Sequence, residues 1–479
     1  MAEDLTLAST ERRRPPTGTG TGTGSRPRYV YLLLALVPAA LVLAVLRFGA
    51  EIAGLDGGSG GASGGAAGKA PAASGTFAAL LLALPVILLV CHLTAGLFRR
   101  MGQPAVIGEI VAGVLLGPSL LGLLWPSGHD LLFPAELSGP VGILAQLGLV
   151  CFMFVVGYEL DIGEVRGRGQ AVLAISHVGV AVPLLAGALL ALGMYGSYAP
   201  DGLGFTPFGL FIAVAMSITA FPVLARIIAE RRPGELRVGG IALSCAAVGD
   251  VTAWCLLAVV VATAAGSSPA GVVWILVLTA LFCALLHFAV RPLLRRMLNG
   301  TRQARGTSVL PVLFSAILLC ALATEEIGIH AIFGPFLLGA VTPRGSAPLE
   351  WALGRLRSVT ETLLLPLFFV FSGMRTSVGL LDGRQAWLWC LAIVVVATAA
   401  KWGSTTLAAR GCGMGREDSM ALGALMNCRG LTELVVLNVG LDLGVITPTV
   451  FTMFVIMALV STVLTAPALT LVRRRYAGT

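Results

Sequence analysis

From about residue 76 to residue 472 the chain is a succession of apolar runs interrupted by short polar loops. Each run is long enough to cross a bilayer, which takes about 17–25 residues of helix. The runs are continuously apolar and do not alternate at period two, so they predict helices and exclude a transmembrane barrel. Thirteen helices are predicted, at 76–98, 104–124, 139–159, 170–196, 207–230, 238–265, 271–296, 307–323, 329–343, 359–375, 385–409, 417–440 and 448–472. Upstream, residues 1–28 are polar and rich in Thr-Gly repeats, and predict a disordered cytoplasmic tail. An extra N-terminal transmembrane helix is expected over 29–47, then a Gly/Ser/Ala-rich linker over 48–75. Residues 473–479 close the chain as a short cytoplasmic tail.

The loops carry a pattern that did not enter this division. Alternate loops hold Arg99 and Arg100, Arg166 and Arg168, Arg231 and Arg232, Arg295 and Arg296, Arg355 and Arg357, Arg410 and Arg416, and Arg473 to Arg475. The intervening loops hold Asp130, Glu136, Asp201, Glu325, Glu326 and Asp442, with Arg375 and Arg384 the main exceptions. The positive-inside rule then puts both termini in the cytoplasm if the segment at 29–47 is an uncleaved anchor and not a cleavable signal, and the plasma membrane is the expected location. In a chain that is 57% hydrophobic and 12% charged, the net charge of +8 is a topology signal and not a nucleic-acid footprint. The nine cysteines are scattered, without a Cys-x-x-Cys pair, and no His/Cys spacing suits a metal. No glycine-rich phosphate loop or nucleophile–base arrangement supports an enzyme, and no cofactor is implied.

Against this background four places break the apolar pattern at membrane depth. Asp250 is the lone ionisable group between Val238 and Ala265. A carboxylate there costs about 2.5–3.5 kcal/mol on insertion, and such groups mark ion and proton pathways. It is read as the ion- and proton-binding group of a transporter. In the helix at 207–230, Pro222 frees carbonyls near Ile218 and Thr219, and unwound backbone at this depth suits cation binding, with the Thr219 hydroxyl as a further ligand. In the helix at 417–440, Gly430 suggests a second interruption, and Arg429 and Glu433 share a helix face. They can form a buried ion pair, or the arginine can compensate carbonyls at a helix break. Lys401, one of two lysines, stands nine residues before Arg410, about 13 Å of helix. That is too far to snorkel freely, so it needs a partner, either Asp250 or carbonyls of a broken helix. Six helices on either side of the one at 271–296 make two repeats of opposite topology, and corresponding broken helices point to a midplane site. Glu109, Tyr158 and Glu159 stand at helix ends or line a route to it.

The stretches Gln103–Ser119 (QPAVIGEIVAGVLLGPS), Phe154–Asp161, Ser217–Arg226 (SITAFPVLAR), Leu365–Gly373 and Asn427–Leu434 (NCRGLTEL) resemble, in order, the signatures of the second branch of the cation:proton antiporter superfamily. Its plant cation/proton exchangers and bacterial sodium or potassium/proton antiporters are the nearest in flavour. The resemblance implies an all-α membrane protein of about 13 core helices in two inverted repeats, with two crossed, discontinuous helices beside the ion-binding aspartate. It also implies exchange of sodium or potassium for protons by alternating access, and a homodimer. Asp250 falls on the motif's ion-binding aspartate. Where the family has Asn-Asp or Asp-Asp, this chain has Gly249-Asp250, so Gly249 adds no side chain to the site. Lys401 resembles the lysine that pairs with the central acids in electrogenic members. Outside the transporter reading, a non-transporting membrane sensor or scaffold, or a cation channel, would use the same architecture.

Overall fold

A computed structural model describes residues 73–159, 169–229, 238–264, 269–300 and 306–476. The expected tail at 1–28, the extra helix at 29–47, most of the 48–75 linker and the last three residues lie outside the described residues. The described chain is helical. In order, α1 is Ala73–Arg100, α2 Ala105–Leu116, α3 Ser138–Glu159 and α4 Gly169–Tyr198. The fifth helix is split into α5a, Phe205–Ser217, and α5b, Phe221–Ala229, and is followed by α6, Gly239–Ala264. Helix α7 begins at Pro269–Leu285 and continues through a π turn, Leu286–Val290, into Arg291–Gly300. The second half holds α8, Gly306–Ile327, and α9, Phe333–Val341. Helix α10 runs from Ala347–Val359 through a π turn, Thr360–Leu364, into Leu365–Met374. Then come α11, Gly383–Gly411; a second split helix, α12a, Arg416–Met426, and α12b, Leu431–Asp442; and α13, Pro448–Tyr476.

Among the described residues twelve spans are long and apolar enough to cross a membrane, α2 together with the short helix Leu121–Leu124 that continues it. The ninth expected helix, at 329–343, is only the nine residues of α9, because Gly328 and His330 both take positive φ and delay its start. The tenth, expected at 359–375, starts twelve residues earlier than its apolar run, with its polar first half bearing Arg355 and Arg357.

The two halves pair in a repeated way. Helix α2 packs on α10, and the equivalent α9 packs on α3. Both seams rest on opposed glycines. A Cβ on Gly113 would lie 2.2 Å from the Phe369 carbonyl oxygen, and one on Gly157 would lie 2.1 Å from that of Phe336. Such approach, without a side chain between backbones, is how membrane helices gain van der Waals contact where no hydrophobic drive exists. The helices α1–α3 and α8–α10 form one bundle in this way; α4–α6 and α11–α13 form the other, centred on the α4·α11 contact. Burial separates the elements further. In α7 only 12% of the most apolar window is buried, whereas α5 reaches 83% and α12 reaches 94%. The two split helices are thus the most enclosed in the protein, which is the condition under which broken backbone survives at membrane depth.

Candidate functional site

The break in α5 follows from Pro222, in second place in α5b. A proline costs nothing in a helix's first turn, where its missing N–H has no intrahelical partner, so it starts a new helix there. Ile218, Thr219 and Ala220 are left outside both halves. The break in α12 is centred on Gly430, whose φ of 153° and ψ of −118° suit no other residue type.

The two breaks touch. The Ala220 amide donates to the Cys428 carbonyl at 3.0 Å, and the Thr219 hydroxyl donates to the Met426 carbonyl at 3.1 Å. Arg429 reaches across in the other direction. Its Nη1 donates to Ala215 O at 2.8 Å, its Nη2 to Met216 O, and its Nη1 also meets Glu433 Oε2 at 3.0 Å. Both alternatives for this arginine therefore hold at once: it pairs with Glu433 and it caps the end of α5a. Lys401 takes the next carbonyl, with Nζ 2.5 Å from Ser217 O and 2.8 Å from Gly179 O. Of its two expected partners the broken helix is the one it contacts; no ion pair joins it to Asp250 among the described residues.

The electrostatics of the crossing are complementary. The carbonyl end of α5a, which carries partial negative charge, faces the Arg429 and Lys401 cations. The amide end of α5b, at Phe221, lies beside the Asp250 carboxylate, and the Phe221 N–H itself donates to Thr219 O at 3.1 Å. Asp250 is 2% exposed, and its Oδ1 has no hydrogen-bond partner. Around it, Asp250, Glu433, Lys401 and Arg429 are all buried and sum to zero charge when all are ionised. Gly249 is buried against α4, where an added Cβ would meet Ser176 Oγ at 3.5 Å, an ordinary contact.

Between the bundles a cavity of about 510 Å³ opens on the face that bears Arg99 and Arg357, and it reaches Pro222, Val223 and Leu431 at the breaks. Glu109 and Glu159 line it, the first 4.0 Å from Arg226 and the second paired with Arg357. Tyr158 does not line this cavity. Its hydroxyl donates to Glu350 and its ring lies against Arg344, so it braces α3 against the start of α10. What sequence reasoning missed are backbone groups: the carbonyls of Gly179, Ala215, Met216 and Ser217. It also missed Thr462, which both donates to the Arg429 carbonyl at 2.6 Å and accepts from its amide at 3.0 Å.

Two enclosed, broken helices that meet beside a buried carboxylate are an arrangement found at the midplane of membrane transporters. The model of the family described as sodium/hydrogen exchanger, transmembrane, matches residues 86–472. The chain is 39% identical over 399 residues to the Na(+)/H(+) antiporter NhaS4 of Synechocystis, covering 82% of this chain and 97% of that protein. It is 38% identical to Cation/H(+) antiporter 17 of Arabidopsis thaliana over 81% of this chain and 47% of that protein. With the K(+)/H(+) antiporter 1 of Saccharomyces cerevisiae it shares 36% identity over 81% of this chain and 45% of that protein. The chain thus spans nearly all of the cyanobacterial relative and about half of the plant and yeast ones. The fold is similar to that of the sodium proton antiporter MjNhaP1 from Methanocaldococcus jannaschii, with a TM-score of 0.59 at 15% identity, covering 82% of this chain and 99% of that one. The chain belongs to the sodium/hydrogen exchanger family, whose members are membrane transporters and not enzymes.

Proposed function

We propose that the protein exchanges sodium or potassium for protons by alternating access, with Asp250 as the group the two ions share. Family membership makes the protein a monovalent cation/proton antiporter. The observation that carries the finer reading is the Asp250 carboxylate, buried at the crossing with Oδ1 unpartnered. A buried carboxylate with an oxygen left unpartnered is costly as a bare anion and is stabilised by neutralisation. A proton does this, and so does a bound cation, and one excludes the other. The Thr219 hydroxyl has given its hydrogen to Met426 O, so its lone pairs remain for a cation beside the carboxylate. Lys401 and Arg429 hold the carbonyls of α5a and keep the break from rewinding; Glu433 balances Arg429.

The charge sum supports a one-for-one exchange. With Gly249 in place of a second acid or amide, Asp250 alone takes up either one proton or one monovalent cation, and either ligand leaves the same total charge. The bundle of α4–α6 and α11–α13 moves against the other bundle, which forms a homodimer, with the C-terminus on the cytoplasmic, arginine-bearing face.

Purified protein sealed in vesicles tests this by proton flux on addition of sodium or potassium. Wild type is expected to move protons in response to one or both ions, and Asp250→Asn to abolish the response while folding normally. Exchange retained by Asp250→Asn would refute the assignment. Cation uptake without proton movement would indicate a channel, and binding without flux a sensor.

A further inference from the structure

The two faces of the seam between the bundles are fastened unequally. On the face with Arg99 and Arg357, the cavity separates the bundles, and among the described residues polar groups approach across it at two places. Glu109 and Arg226 are 4.0 Å apart, and the Gln103 amide lies 3.3 Å from Val463 O. On the opposite face, the end of α10 is tied closely to α12b and α13. Arg375 Nη1 lies 2.6 Å from Asp442 Oδ1 and 3.2 Å from Asn438 Oδ1. The Asn438 amide donates to Ser372 Oγ at 2.8 Å, and the Ser377 amide donates to Thr452 Oγ1 at 3.2 Å. Ser372, Asn438 and Thr452 are buried, and the Arg375 guanidinium is further held over the Phe371 ring, 4.3 Å from its centroid. Asp442 lies eleven residues beyond Leu431, which lines the cavity at the break, so about 16 Å of helix separates the two faces.

We infer that Ser372, Arg375, Asn438 and Asp442 form a gate on the face remote from the arginines, closed here, which opens in each transport cycle and sets how the protein divides its time between the two orientations. The inference rests on the alternating-access reading above. None of the four touches the ion; they are positioning residues that act through the relative placement of the bundles. Their chemistry suits a gate. Every tie is a hydrogen bond or a partly exposed ion pair, with Arg375 28% and Asp442 44% exposed. Exposed pairs are exchanged for water at little free-energy difference, so the contact is specific without being permanent. A packed apolar seam, such as that between Gly113 and Gly373, has no such alternative.

The apparent affinity of a site on one side equals its intrinsic affinity scaled by the fraction of molecules open to that side. Weakening the gate therefore changes the two sides in opposite directions. The test uses the full-length protein in vesicles of both orientations, with sodium and potassium concentration varied on one side at a time. Asn438→Ala removes two ties without leaving a charge unpaired, and Arg375→Asp and Asp442→Arg each reverse one partner. Each of the three is expected to lower the half-saturating cation concentration on the Asp442 face by about 3- to 10-fold and to raise it on the cavity face. The double variant Arg375→Asp with Asp442→Arg is expected to return both sides toward wild type. Equal changes on both faces, or no change in folded Asn438→Ala protein, would overturn the gate. Should a charge-reversed single variant fail to fold, Asn438→Ala and the double variant decide it. Wild-type protein without exchange on either side would instead overturn the functional reading on which the gate depends.

Discussion

The two broken helices occupy equivalent places in their repeats, yet they are finished in opposite ways. The break in α5 brings almost no side-chain chemistry of its own. Its three non-helical residues supply one hydroxyl, and the carbonyls at the end of α5a are served from elsewhere, by Arg429 and Lys401. The break in α12 is the reverse. It carries Asn427, Arg429, Thr432 and Glu433, all buried, and spends its charge on its neighbour and itself. One break is left polar and free of fixed charge, beside Asp250; the other is the scaffold that permits it. In the function proposed above, the inverted repeats would thus yield one site and one support, since a cation site made of carbonyl and hydroxyl oxygens needs its counter-charges near but engaged.

This contrast can be broken at its supporting side first. Arg429→Ala leaves Glu433 as a lone buried charge and the Ala215 and Met216 carbonyls without donors, and is expected to cost about 3–5 kcal/mol, read as thermal unfolding in detergent. Replacing both partners, Arg429→Met with Glu433→Leu, is expected to recover part of that loss, since no buried charge then stands alone. Gly430→Ala forces a side chain onto a φ of 153° and brings its Cβ to 2.8 Å from Val223 Cγ2, at a cost of about 1–3 kcal/mol. Gly249→Ala, in mid-helix with room for the methyl, is expected to leave stability unchanged or raised by up to about 1 kcal/mol. Lys401→Met removes the donor from Ser217 O and Gly179 O for about 1–3 kcal/mol, less than Arg429→Ala because no close ion pair is broken. The smallest effects sharpen the comparison most. Thr219→Val removes the donor from the buried Met426 carbonyl, at about 1 kcal/mol of stability, and is expected to raise the half-saturating cation concentration about 5- to 10-fold, roughly one lost hydrogen-bond-strength contact. Thr432→Val, the hydroxyl at the other break, is expected to leave it unchanged, because that oxygen has no partner to lose.

Much of this arrangement was legible in the sequence, for reasons that differ by residue. Pro222 and Gly430 announce breaks because each permits only a narrow range of backbone geometry. Arg429 and Glu433 announce a pair because four residues on a helix return to the same face. Lys401 announces a buried partner because its stem is too short to escape. What could not be read is what the broken backbone itself contacts. The carbonyls of Ala215, Met216, Ser217 and Gly179 are the partners of both buried cations, and a carbonyl looks the same at every position of a sequence. Nor does the sequence say that the breaks face each other through Ala220 and Cys428. Tyr158 shows the limit from another side: it was a candidate for the ion route by position along α3, and only its rotation about that helix, toward Glu350, removes it. The N-terminal segments lie outside the described residues and stay expectations of composition.

One consequence follows from how the two breaks are fastened. Ala220 to Cys428, Thr219 to Met426, and Arg429 to Ala215 and Met216 tie both split helices into one piece, with Lys401 pinning that piece to α4 and α11. Under the alternating access proposed above, a site inside such a piece would travel without being reshaped, and an ion bound from one side would meet the same oxygens as an ion bound from the other. A difference in apparent affinity between the sides changes how readily each is served, not the direction of net exchange. Whether it expels a cation or takes one up is then decided by the two gradients across the membrane, and reversing the steeper one reverses the exchange.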